Sequence, residues 1–203
     1  MIVIGVTGGL GTGKSTVARL FRELGAEVLD ADRAVHRLLE PGQPVWKKIR
    51  SGFGPSVLEP DGRINRKRLG EIVFRSPARL KALNRIVHPA VRRQLLADLG
   101  RLKRRRPRGV AVLDIPLLIE SGRAYRVDAV VVVTASAAAA ARRLKARSGW
   151  SAAQIKQRSG FQMPLREKVK HADFVVKNGG SLADTRRQVV HVWKKITGEG
   201  VHG

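Results

Sequence analysis

Residues 8–15 read GGLGTGKS. The apolar run Ile2-Val3-Ile4-Gly5-Val6 comes just before them, and Thr16-Val17-Ala18-Arg19-Leu20-Phe21 follows directly. That order is strand, glycine-rich loop, helix. Gly8, four intervening residues, then Gly13, Lys14 and Ser15 match the phosphate-binding loop pattern in the strand-to-helix setting that gives the pattern its meaning. Glycines reach backbone angles that a Cβ disfavours, so successive N–H groups can turn inward around phosphate oxygens. A helix opening at Lys14 adds its unpaired amides and the positive end of its dipole. In such a loop Lys14 reaches the β- and γ-phosphates and the Ser15 hydroxyl holds Mg²⁺. The stretch implies a site for a nucleoside triphosphate.

Outward from the loop, Val17, Leu20, Phe21 and Leu24 recur at helical spacing, and Gly25 is placed to cap the helix C-terminus. Residues 26–29 then read as a short buried strand ending in Asp30-Ala31-Asp32. Ligands of open α/β sheets sit beyond the carboxyl ends of the strands, which is where this acidic pair falls. Asp32 suits orienting and deprotonating an attacking hydroxyl. Asp30 suits capping a helix over 31–39 or the outer shell of Mg²⁺, and both residues also suit plain capping.

Residues 40–108 do not read as sheet. EPGQP at 40–44 and GPSVLEPDGR at 54–63 are turn-rich, while 66–75, 77–87 and 90–105 carry helical periodicity. His88-Pro89 reads as a helix junction within this insertion. A third strand over 110–113 ends in Asp114, which can support Mg²⁺ through water or cap a short helix after it. Residues 128–133 form a nearly all-valine strand of the kind buried on both faces. The helix predicted over 136–147 carries Arg143 and Arg147 on one face, followed by SGWS, so it is either a lid closing on phosphates or a solvated charged face. A further helix spans 151–162 and a last strand spans 174–176. Asn178-Gly179 then makes a turn near where a base would rest. A helix over 181–196 and a frayed tail, GEGVHG, close the chain. The architecture expected is α/β: five parallel strands wrapped by helices, with a helical insertion and a lid.

Composition narrows the classes. There is no cysteine, which excludes disulfides, thiolate metal sites and cysteine nucleophiles. No apolar stretch approaches the roughly 20 residues that span a bilayer. With the first strand starting at Ile2 there is no room for a leader, and a cytoplasmic location is expected. The formal charge of +24 draws in polyanions. Only RLKRRRPR at 101–108 is dense, however, and no aromatic residues alternate with it as base-stacking sites require, so nucleic acid is not the expected partner.

From end to end the chain resembles the bacterial dephospho-coenzyme A kinases. The resemblance is carried by TGGLGTGKS at 7–15, DAD at 30–32, LGEIVF at 69–74 and LNRIVHP at 83–89. DIPLLIE at 114–120, RRLKAR at 142–147, QMPLREKVKHAD at 162–173 and NGG at 178–180 complete it. It implies a P-loop NTPase-type, nucleoside monophosphate kinase-like fold in one domain over 1–203. The core would be about 1–39, 109–135 and 172–198, the acceptor-binding insertion about 40–108, and the lid about 136–171. It also implies transfer of the ATP γ-phosphoryl to the ribose 3′-hydroxyl of dephospho-CoA with Mg²⁺, by a monomer or weak homo-oligomer. Carried over, Asp32 is the catalytic base, with Lys14 and Arg143 catalytic beside it. Gly9, Leu10, Gly11, Thr12, Gly13, Lys14, Ser15 and Thr16 hold the triphosphate, supported by Arg147, and Asn178 and Gly179 lie near adenine. Thr7, Asp32, His88 and Leu117 face the acceptor. Ser15 binds Mg²⁺, with Asp114 behind water. One departure is the AAAAARR start of the lid helix, where relatives often place a Gln. On the same scaffold, a kinase of a nucleoside monophosphate or sugar acid is the alternative; from another class it is a basic RNA-binding assembly factor.

Overall fold

The computed structural model describes residues 1–198, the Arg123 side chain apart. Of the expected frayed tail, 199–203 lie outside the described residues. In chain order the elements begin with β1 (Ile2–Gly8), α1 (Lys14–Glu23), β2 (Glu27–Asp30), α2 (Ala31–Leu38), α3 (Pro44–Phe53), α4 (Arg66–Phe74) and α5 (Pro77–Arg105). They continue with β3 (Val110–Asp114), β4 (Ala129–Thr134), α6 (Ala137–Ser148), α7 (Ala152–Ser159), α8 (Leu165–Val169), β5 (Phe174–Lys177) and α9 (Leu182–Thr197). The chain divides into two compact units, one of Met1–Asp30 with Leu99–Gly203, the other Ala31–Asp98.

The first unit holds a five-stranded parallel sheet in the order β2-β3-β1-β4-β5. Strand alternation sorts its side chains. Ile4 and Val6 of β1, Val110 and Val112 of β3, and Val131 and Val133 of β4 share one face. Against them pack Val17, Leu20 and Phe21 of α1 and Val189, Val192 and Trp193 of α9. The apolar stripe read from spacing on α1 is therefore the stripe that is buried. The helix ends in a paired turn: the Ala26 amide donates to the Phe21 carbonyl at 3.0 Å and the Gly25 amide to Arg22 at 2.9 Å, satisfying carbonyls the helix leaves open.

Two strands lie at the sheet's edges. β2, expected to be buried, is half-buried throughout, because it has a neighbour on one side only. β5 is the other edge. There the Gln188 side chain from α9 accepts from the Lys177 amide at 2.8 Å and donates to the Lys177 carbonyl at 2.9 Å, taking the place of a strand's peptide group. Asp184 in the first turn of α9 is held below the usual carboxylate range, first by hydrogen bonds from the Ser181 hydroxyl and amide and then by Arg187.

The second unit is helical, as the turn-rich and periodic segments predict, apart from a single antiparallel bridge between Leu58 and Ile64. Its core gathers Val45, Ile49 and Phe53 of α3 with Val57, Ile64, Leu69 and Val73. Trp46 ties α3 to the 54–63 loop by donating from Nε1 to the Gly62 carbonyl at 2.9 Å.

Two local expectations are corrected. No junction exists at His88-Pro89: α5 runs unbroken through the proline for 29 residues. Pro89 lacks the N–H that would reach the carbonyl one turn back. Leu80, Leu83, Ile86, Val87 and Ala90 nevertheless pack on the same core on both sides of it, and that packing outweighs the lost bond. Nor does a short α-helix follow Asp114. Residues 116–121 form successive turns, fastened by the Ser121 hydroxyl at 2.7 Å from the Leu117 carbonyl and 2.8 Å from that of Leu118.

Candidate functional site

The phosphate-loop segment leaves β1 at Gly8 and enters α1 at Lys14. Gly11 (φ 75°) and Gly13 (φ 88°) both occupy the left-handed region, which a Cβ disfavours. Space excludes side chains as well. A Cβ on Gly11 would stand 2.7 Å from the Ala140 carbonyl oxygen, and one on Gly13 would stand 2.1 Å from Asn178 Nδ2. Gly13→Ala is expected to destabilise the protein by about 3 kcal/mol, combining backbone strain with this clash, and urea unfolding of the variant measures it.

Thr12 is the loop's anchor. It is 2% exposed; its hydroxyl donates to the Gly9 carbonyl at 2.9 Å, and its own carbonyl accepts from two distant side chains. These are Asn178 Nδ2 at 2.8 Å and Arg143 Nη1 at 3.2 Å. Arg143 Nη2 also donates to the Asn178 carbonyl at 2.7 Å. Asn178 is buried, and its Oδ1 accepts from the Thr185 hydroxyl at 3.0 Å while its amide donates to Thr134 at 2.7 Å. A closed network thus locks the loop to the turn after β5. Lys14 folds back over the loop, with Nζ at 3.1 Å from the Gly9 carbonyl and 3.4 Å from that of Gly8. Ser15, one residue on, is exposed and Thr16 half-buried.

The carboxyl ends of the strands bring two acidic residues together. Asp30 and Asp114 are register partners across β2 and β3, and Asp114 is also level with Val6 of β1. Val6 points toward α1, so both aspartates share the face of the sheet that α1 covers. Asp114 is 6% exposed. Among the described residues no group of three or more His, Asp and Glu gathers to hold a metal on its own. Any oxygen-seeking cation bound beside this loop would need ligands beyond these side chains, such as phosphate oxygens.

The remaining residues singled out from sequence divide between the units. Arg143 and Arg147 stand one turn apart on α6, Arg143 half-buried against the loop and Arg147 exposed. The SGWS stretch is a capped helix-to-helix turn, with Gly149 ending α6 and Ser151 opening α7. Thr7 is fully enclosed, its hydroxyl donating to the Pro116 carbonyl at 3.1 Å. Leu117 is half-buried on the 116–121 turns. Asp32 and His88 belong to the helical unit. Asp32 is exposed in the first turn of α2, two residues beyond the end of β2. His88 has accessible surface on α5, yet desolvation by the surrounding protein lowers its pKa below the ordinary 6.5, leaving it neutral at pH 7.

Spacing along the chain did not single out Thr185, nor the pair Lys168 and Glu120. Lys168 is 0% exposed, with Nζ 2.9 Å from Glu120 Oε1. Glu120 ends an otherwise apolar run, IPLLI, but Lys168 sits beside Arg166 and Glu167 and carries no local signal of burial.

Comparison with known proteins agrees with this geometry. A family model described as dephospho-CoA kinase matches residues 2–184. A dephospho-CoA kinase of Symbiobacterium thermophilum is 47% identical over 198 residues, covering 98% of this chain and 82% of the relative. One of Geobacillus kaustophilus is 44% identical and covers 96% of each. Among solved structures, a dephospho-CoA kinase from Campylobacter jejuni is 31% identical with a TM-score of 0.69, covering 97% of both chains. A shikimate kinase from Acinetobacter baumannii, 16% identical with a TM-score of 0.57 over 99% and 96% of the two chains, shares the fold. The family match takes in the helical unit and the sheet alike, and the chain belongs to the dephospho-CoA kinase family.

Proposed function

We propose that this chain transfers the γ-phosphoryl group of ATP to the ribose 3′-hydroxyl of dephospho-CoA, giving CoA and ADP, the last step of coenzyme A synthesis. The observation that carries the reading is the family match across 2–184, which includes the helical insertion as well as the phosphate loop. Among the described residues no helix is long and apolar enough to cross a membrane. The reading is of a cytoplasmic enzyme acting on two small molecules, with no step that calls on a second copy.

Phosphoryl transfer proceeds through a loose transition state, so the protein acts by positioning and charge. Residues 9–16 cradle the triphosphate with loop amides and the opening of α1. When ATP arrives, Lys14 exchanges its loop carbonyls for the β- and γ-oxygens, a stronger charge-assisted pairing. Ser15 would hold Mg²⁺ and Asp114 would support it through water; the ion neutralises charge on the phosphate oxygens. Asp32 orients the acceptor hydroxyl and takes its proton late, because an alcohol is too weak an acid to ionise early.

Residues 136–171 act as the lid and 40–108 as the acceptor-binding insertion, where His88 meets the coenzyme A part as a neutral imidazole. Leu117 lines the acceptor side, and Thr7 acts there through the turn it fastens. Asn178 and Gly179 lie beside adenine, and Arg147 supports the phosphates. Arg143 has two parts in this reading: it holds the loop's shape and meets charge on the transferring phosphoryl. Arg143→Ala is expected to cut kcat roughly 100-fold or more while the fold persists, since the Thr12 carbonyl keeps its bond from Asn178. Steady-state kinetics with circular dichroism check this, and unchanged turnover would remove Arg143 from the mechanism.

The decisive assay is ADP release from ATP with dephospho-CoA, run beside AMP, shikimate, gluconate and no acceptor. Turnover with dephospho-CoA well above the other four is expected. Preference for any other acceptor would replace the assignment.

A further inference from the structure

A lysine with no exposed surface lies within the segment read above as the lid, with no part of its own assigned to it. Lys168 sits on α8, and its Nζ donates to the Pro116 carbonyl at 2.7 Å and pairs with Glu120 Oε1 at 2.9 Å. The same two acceptors are shared with other segments. Pro116 also accepts from the Thr7 hydroxyl at 3.1 Å, and Glu120 Oε1 accepts from the Met163 amide at 2.9 Å. Leu165, three residues before the lysine, lies on the side of Gly9 from which an added Cβ would project, 3.9 Å from where that atom would stand. One short segment, 163–168, therefore holds the turns after β3 at two points, through Met163 and Lys168.

We propose that Lys168 is a positioning residue whose buried ammonium fixes the 116–121 turns, and Leu117 on them, in register with the root of the phosphate loop. Burying an ammonium needs compensation, and an apolar side chain of similar length would fill the same volume without that cost. What the ammonium adds is direction. Two bonds at defined angles hold a turn that has no helix or strand of its own to define its position. Thr7 approaches the same carbonyl from the last residues of β1, so the fixed point is shared by the strand that leads into the loop. Loss of the ammonium then shifts the acceptor's side of the site while the loop network through Thr12, Asn178 and Arg143 stays whole. The inference rests on reading 116–121 as facing the acceptor in dephospho-CoA phosphorylation.

Lys168→Met is the test, because each acceptor keeps one donor: Thr7 for Pro116 and the Met163 amide for Glu120. The expected result is a rise of about tenfold or more in KM for dephospho-CoA and a fall of roughly 100-fold in kcat/KM. The Kd for ATP, read by titration with a fluorescent ATP analogue, should stay within about twofold. Glu120→Gln should move the same constants in the same direction by less, since an amide oxygen still accepts both bonds; it serves alone if K168M does not fold. Adding E120Q to K168M should cost little further, as expected of partners in one contact. An unchanged KM for dephospho-CoA in the folded variants would overturn the proposal, as would equal losses for both substrates in step with lowered melting temperature. Wild-type protein that fails to phosphorylate dephospho-CoA would overturn the underlying reading as well, whereas an active wild type with indifferent variants would overturn the brace alone.

Discussion

Replacing Asp32 with asparagine should lower kcat for dephospho-CoA phosphorylation by about 10³-fold while the Kd for ATP stays within about twofold. General-base groups contribute roughly 10² to 10⁴ to rate, and the mechanism proposed above gives Asp32 that part and none in holding the triphosphate. The amide is isosteric with the carboxylate and Asp32 is exposed in the first turn of α2, so the fold should not register the change. The amide can still orient a hydroxyl but cannot accept its proton. Wild-type kcat in the variant would take Asp32 out of the mechanism.

Lys14→Ala should impair both turnover and triphosphate binding, with kcat down by roughly 10³-fold and ATP affinity weakened about tenfold or more. The contrast with Asp32 is the informative part. In the proposed mechanism Lys14 meets the β- and γ-oxygens before and during transfer, so its removal should affect ground state and transition state together. The Asn178 and Arg143 bonds to the Thr12 carbonyl still hold the loop without it, so the variant should fold. Isothermal titration with a non-hydrolysable ATP analogue, beside single-turnover rates, separates the two effects. Intact binding with lost turnover would confine Lys14 to the transition state.

What the chain reveals before folding is what depends on neighbours in sequence. The strand–loop–helix order at 2–21 is readable because glycine conformations, helix-terminal amides and a strand's alternation act within a few residues. The same locality explains why the helices read over 66–75 and 181–196 form at Arg66–Phe74 and Leu182–Thr197. Pro89 shows where local reasoning fails. Its own chemistry argues for a break, and the packing of residues on both sides overrides it. β2 was expected to be buried from its composition, but burial there depends on strand order, which composition does not specify.

The site divides along the same line. Lys14 and Ser15 follow from the loop alone. For Arg143, spacing left a choice between a lid and a solvated face, and in the structure its guanidinium reaches carbonyls 131 and 35 positions away. Asn178 read as a turn former near a base; the structure adds a buried amide bonded to Thr12, 166 positions earlier. Lys168 and Pro116 lie 52 positions apart. No periodicity links such pairs, and only the closing of the sheet brings them into range.

The amide of Gln188 has an effect that reaches past a single molecule. An open sheet invites a strand from a neighbouring copy to continue its ladder, and an edge four residues long with Val175 38% exposed offers such an invitation. At Lys177 the invitation is already answered from within the same chain, so an incoming strand would have to evict a glutamine before it could bond there. At the β5 end one side chain thus stands where a neighbouring copy's backbone would otherwise dock.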